Sequence, residues 1–165
     1  MKRAIAALAG AVSILSPAAL AAGERVPIAV AGFDYSDSSG EARDRQGEHQ
    51  ARLEAFVHAL RRDLAKSSRY RVVELECPPA SCSAGRMTPA ELLDVARRAG
   101  ARLLLYGGIH KMSSLVQFGK AEAVDLAADK VVFDRLISFR GDSEDAWRHA
   151  ESFLARELIA ADLSR

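Results

Sequence analysis

Thr88-Pro89-Ala90-Glu91-Leu92-Leu93-Asp94-Val95-Ala96-Arg97-Arg98-Ala99-Gly100-Ala101-Arg102-Leu103-Leu104-Leu105-Tyr106-Gly107-Gly108-Ile109 is a helix delivered straight into a strand. Thr88 offers an N-cap hydroxyl, Pro89 suits the first helical position, and Glu91 can reach back from the third, which together satisfy the free amides of a helix start. Leu92, Leu93, Val95, Ala96 and Ala99 give the helix an apolar side, and Gly100 ends it. Leu103 to Ile109 then reads as a strand, its apolar run suited to burial on both faces.

The same pattern precedes this stretch. Pro27 to Phe33 reads as a buried strand, and the turn formers from Asp34 to Gly40 place its end in an exposed loop. From Gln46 to Lys66, Leu53, Phe56, Val57, Leu60 and Leu64 recur at helical spacing opposite Arg52, Glu54, Arg61 and Arg62. Tyr70 to Leu75 is a second strand. Two successive strand-helix-strand units predict parallel pairing with right-handed crossovers.

Downstream, Leu115 to Leu126 and Val131 to Phe139 flank a polar turn at Ala128-Asp129-Lys130, which predicts an antiparallel hairpin. Val131, Phe133, Ile137 and Phe139 share the face expected to be buried, interrupted by Arg135. Asp142 or Ser143 can cap a last helix with Trp147, Ala150, Leu154 and Leu158 on one stripe and Phe153 beside it. The expected class is α/β (α+β): a single domain of order βαβαβββα, with a mixed sheet and three helices.

Met1-Lys2-Arg3, the apolar run Ala4 to Leu15, and the small residues from Pro17 to Ala22 read as a secretory signal peptide, residues 1–22. The apolar run is about 12 residues against the roughly 20 that cross a bilayer, so a retained anchor is not expected. Without a cysteine at the cleavage zone to carry lipid, the expected product is a released periplasmic domain, residues 23–165. The formal net charge of +1 falls to about −1 once Lys2 and Arg3 leave, so neither nucleic acid nor an anionic membrane is an expected partner.

Cys77 and Cys82 are the only cysteines, and export to an oxidising compartment predicts that they form a disulfide. Closing so short a loop contributes about 2 kcal/mol. A redox pair is disfavoured because the spacing is not Cys-x-x-Cys and Pro78-Pro79 stiffens the loop.

The segments Ile28 to Ser39, Ser68 to Glu74 and Ala99 to Gly108, with the hairpin that follows, resemble the TolB amino-terminal-like domains. That resemblance implies a periplasmic or extracytoplasmic α/β module that works within larger assemblies and is not a catalyst. Gly107 to Gln117 and Phe139 to Arg148 are similar to an uncharacterised secreted proteobacterial family, a domain of unknown function of the DUF2380 type, which carries no activity to transfer.

Binding groups in parallel α/β sheets gather beyond the carboxyl ends of the strands. Here that edge brings forward Asp34, Asp37, His110 and Lys111, with Arg140 entering the last helix, as binding candidates. Every connection is polar, so the same clustering also arises from solvated loops. Asp34, Asp37 and Glu41 miss the EF-hand spacing. A metal set from Cys77, Cys82, His110 and Asp34 loses both thiolates to a disulfide. Ser113 and Ser114 lie near His110 in the chain but without a nucleophile elbow. His49 and His58 are nine residues apart on one helix and so fall on opposite faces. No catalytic residue, metal or cofactor is expected. The leading expectation is a non-enzymatic accessory or protein-interaction module with a periplasmic protein partner; the alternatives are a small-ligand or metal-binding protein using the strand-end edge and, less favoured, a small hydrolase.

Overall fold

The computed structural model describes residues 24–41, 45–77, 81–161 and 163. The signal peptide expected at residues 1–22 and the Pro78-Pro79 pair lie outside the described residues. The elements are β1 (Val26–Asp37), α1 (Gln46–Lys66), β2 (Tyr70–Val73), α2 (Pro89–Arg98), β3 (Leu103–Lys111), β4 (Val116–Asp125), β5 (Lys130–Arg140) and α3 (Glu144–Ala160). This is the expected order.

They build one sheet in the order β2-β1-β3-β4-β5, with β1 parallel to both β2 and β3 and the remaining pairs antiparallel. The first crossover leaves β1 in one direction and the second passes back across it. Crossovers of one hand that travel in opposite directions need their helices on opposite faces. Accordingly α1, joined by α3, covers one face, where Ile28, Val30 and Phe33 meet Leu60, Trp147 and Leu154. The opposite face carries α2, with Leu92 and Ala96 packed on Ala29, Ala31 and Leu104. Thr88 and Glu91 form the reciprocal cap at the start of α2, and Gly100 takes the left-handed φ of +73° that ends it.

Three local features go beyond the expected pattern. First, β1 and β3 run further than their apolar cores, through Asp37 and Lys111, because each polar residue finds a partner across the register: Ser36 faces His110 and Asp37 faces Lys111. Second, the Gly107-Gly108 pair lies where neighbouring strands approach closely. A Cβ at Gly107 would run into the Lys120 carbonyl and the Phe33 ring, and the bulge of this region falls in β1 between Val30 and Phe33.

Third, the hairpin face is offset. A register shift at Ala123/Val124 turns Val132 toward the core and leaves Val131 exposed. Phe133 and Ile137 are buried as expected, and Arg135 sits among them with its guanidinium over the Phe133 ring and an ion pair to Glu157 of α3 at 2.8 Å. On α3, Ser143 is the N-cap, accepting from the Ala146 amide, and Phe153 is exposed. Asp142 has another task.

Candidate functional site

The expected strand-end edge divides into two sites because side chains alternate across the sheet. Tyr35, Asp37 and Lys111 lie on the side covered by α1 and α3. Ser36 and His110 lie on the other side, beyond the reach of α2.

The covered site is built around Asp142, which enters from the β5–α3 connection. Its Oδ2 accepts from His49 Nε2 at 2.7 Å, Arg45 Nη1 at 3.1 Å and Lys111 Nζ at 3.1 Å. Its Oδ1 accepts from Arg52 Nη1 at 2.9 Å, Trp147 Nε1 at 3.3 Å and Gln117 Nε2 at 3.4 Å. Lys111 is 0% exposed and also donates to Glu41 at 2.8 Å, with Asp37 at 4.0 Å. Tyr35 stacks on the His49 ring at 4.8 Å.

Burial works against the Asp142 carboxylate, but hydrogen bonds from His49 and Lys111 outweigh it and hold its pKa at about 2. Burial likewise opposes the Lys111 charge, and Glu41 and Asp142 reverse that and raise its pKa. The Tyr35 hydroxyl is buried without a hydrogen-bond partner among the described residues; burial, then the charges of Asp37 and Asp142, push it above the ordinary phenol range. Six donors on one carboxylate leave no oxygen to act as a base. Chemically, this cluster ties α1, β3, β4 and the start of α3 together.

The open site is the uncovered face of β1, β3, β4 and β5. His110 stands between two serines, with Nδ1 2.8 Å from Ser36 Oγ and Nε2 3.0 Å from Ser38 Oγ. Neither ring nitrogen meets a carboxylate of the kind that orients the histidine in a Ser-His-Asp set. Ser113 does not join it: its Oγ accepts from the Leu115 and Val116 amides within the β3–β4 turn. A shallow depression of about 320 Å³ borders His110, Gly108, Phe118, Lys120 and Leu136. Leu136 is 65% exposed. Beside it Lys120 bridges Glu122 at 2.8 Å and Asp134 at 3.5 Å, and Glu122, held low by Lys120 and Tyr106, supports a Tyr106 hydroxyl that burial pushes up to about 12.

The other candidates fall apart from one another. Asp34 accepts from Ser83 Oγ at 2.6 Å and the Gly85 amide at 2.7 Å, which pins the loop after the cysteines to β1. Asp37 accepts from the Ser39 amide at 2.8 Å, and the Ser39 hydroxyl first, then that amide and the Lys111 charge, hold its pKa low against burial. Arg140 is exposed, and among the described residues it pairs with neither Asp142 nor Glu144. Cys77 and Cys82 form a disulfide with Cα atoms 5.9 Å apart, so no thiolate remains for a metal. Among the described residues no group of three or more His, Cys, Asp or Glu side chains is placed to hold a metal ion.

Arg45, His49, Arg52, Gln117 and Asp142 are the functional-looking residues that sequence reasoning missed. One signal was available: His49 lies on the same stripe as Leu53, Phe56 and Leu60, and a histidine on a buried stripe requires a polar partner.

The fold is shared with solved structures. The hypothetical protein CT253 from Chlamydia trachomatis superposes with a TM-score of 0.57 at 8% identity, over 84% of this chain and 98% of that one. TolB from Acinetobacter baumannii gives 0.51 at 14% identity, over 84% of this chain and 28% of that one. The LpoB C-terminal domain from Escherichia coli gives 0.51 at 11% identity, over 68% and 81%. Likeness at these identities establishes fold alone. No curated protein matches the chain. Residues 26–159 match the family model described as "Protein of unknown function (DUF2380)", and the chain belongs to that family.

Proposed function

We propose that this protein is a non-enzymatic, periplasmic protein-interaction module, exported by residues 1–22 and working as the single domain 23–165. The observation that carries the reading is the contrast between the two sites. The Asp142 carboxylate at the centre of the polar cluster is saturated by its own neighbours, whereas the open sheet face exposes Leu136 with a rim of Lys120, Glu122, Asp134 and Arg140. An exposed apolar centre with a mixed-charge rim is the composition of a protein-docking surface. The β3–β4 turn at the same end adds exposed Met112 and Leu115.

His110, Arg140 and Leu136 are the residues assigned to contact, with Asp34, Asp37 and Lys111 supporting the strand ends beneath them. No helix among the described residues is long and apolar enough to cross a membrane. The likeness to TolB and LpoB domains supports the reading only at the level of fold.

Affinity purification from periplasm, with mass spectrometry of co-purifying proteins and metals, tests it. A protein held by the wild type and lost by Leu136→Asp at unchanged thermal stability is the expected result. A stoichiometric metal with no protein partner would overturn the reading.

A further inference from the structure

The outward face of α1 carries Glu48, Ala51, Ala55, Ala59 and Arg62. Their spacings of three, four, four and three residues are the same read from either end, with an acid at one end and a base at the other. Ala51 and Ala55 are exposed, and the groove they border, about 640 Å³ between α1 and α3, is floored by Phe56 and Trp147. The three alanines on the α1 side, within a groove otherwise bordered by the charged residues Arg52, Glu144, Arg148 and Glu151, let another helix approach α1 at an interaxial distance near 8 Å.

Glu151 of α3 supplies an independent sign that something enters the groove. It is 1% exposed and lines the groove, yet its Oε1 has no hydrogen-bond partner among the described residues; its Oε2 takes only the Ser152 hydroxyl at 3.3 Å. Burial, then Asp63, raises its pKa. Native folds rarely leave a buried carboxylate oxygen without a donor.

We propose that this face is a self-association surface, on which a second copy of the chain lays its α1 antiparallel to the first about a two-fold axis at Ala55. In that arrangement each residue a given number of places before Ala55 faces the residue the same number after it. Ala51 meets Ala59 of the partner subunit and Glu48 meets Arg62 of the partner subunit, and the symmetry makes each contact twice. The contact from Glu48 to Arg62 spans about 21 Å of helix. In the single chain Arg62 pairs with half-buried Asp63 at 3.2 Å and lies within electrostatic reach of Glu151, and its own side chain stays exposed. Glu48, which holds Arg45 and Arg52 in the single chain, would share its carboxylate with the arginine of the partner subunit. Parallel pairing is excluded by charge, because it sets Glu48 against Glu48 and Arg62 against Arg62. This inference is independent of the open sheet face and concerns the opposite side of the sheet.

Sedimentation equilibrium of the full chain over a concentration series, with cysteine cross-linking, tests it. Because both natural cysteines are closed in a disulfide, single introduced thiols report contacts cleanly. Ala55→Cys should cross-link to itself, whereas Ala51→Cys and Ala59→Cys should cross-link when mixed and far less when alone. Arg62→Glu and Ala55→Arg, both at exposed positions, should weaken association at least about tenfold, and Glu48→Arg combined with Arg62→Glu should restore it. A chain that stays monomeric throughout, self-linked Ala51→Cys and Ala59→Cys, or association indifferent to Arg62→Glu would each overturn the proposal and leave the groove to a different protein.

Discussion

Replacing Asp142 with asparagine removes one charge and almost no volume, and it should be among the most damaging single changes in this domain. Its carboxylate takes three donors on each oxygen: Arg45, His49 and Lys111 on one, Arg52, Gln117 and Trp147 on the other. An asparagine has one accepting oxygen, so whichever way it turns, three donors meet its NH2 group. The depressed pKa alone, about 2 against 3.8, sets a contribution of about 2 kcal/mol from the charge. Leaving a buried cation short of a partner, as Lys111 would be, raises the cost to about 3–5 kcal/mol, which lowers the melting temperature by roughly 10–20 °C.

The sign with pH follows from the same shift. Because the folded-state pKa lies below the unfolded value, the Asp142 contribution is full above about pH 4 and is lost as pH falls toward about 2. Urea unfolding of wild type and Asp142→Asn across that range should therefore show the gap between them closing in acid. Ser143→Ala, one residue away, removes only the α3 cap and should cost about 1 kcal/mol. A loss below about 1 kcal/mol for Asp142→Asn, or a gap constant with pH, would refute the account of the cluster as the tie between helices and sheet.

Trp147→Ala, which empties a site only 2% exposed, should cost about 3–5 kcal/mol, while His110→Ala should cost under about 1 kcal/mol in the same melts. The exported protein should show no free thiol in a denaturing thiol assay, and reduction of the disulfide should remove about 2 kcal/mol without loss of the fold. Glu151→Gln should stabilise the isolated chain at neutral pH, because burial has raised the pKa of that glutamate; the advantage should vanish below its unfolded pKa, where the wild-type side chain is neutral in both states.

Element order was legible because its signals are local: the Thr88 to Glu91 cap, Gly100, and apolar periods that change from helical to alternating. The extra length of β1 and β3 was not, because Asp34 to Asp37 and His110-Lys111 read as loop chemistry until their partners across the register are known. Lys111 shows the difficulty best. It reads as a cation where the strand leaves the core, yet it is enclosed by Glu41 and Asp142, 70 and 31 residues away in the chain. Asp142 likewise reads as a helix cap, and nothing local separates it from Ser143, which takes that duty. Arg135 interrupts an apolar face and is explained only by Glu157 on a helix that folds back over it. Of the strand-end candidates, His110 reaches the open face, Lys111 and Asp37 turn inward, and Asp34 pins the loop after the cysteines to β1; alternation separates inward from outward by a rule visible in the sequence once the strands are given their full length.

The central claim is that the open sheet face, and not the charged cluster, meets the partner. A photocrosslinking amino acid placed at Leu136, with the same group at exposed Phe153 on α3 as the control, measures this most directly in intact cells. The account predicts a discrete protein adduct from position 136 that is absent from position 153. No adduct at 136, or equal adducts from both positions, would contradict it.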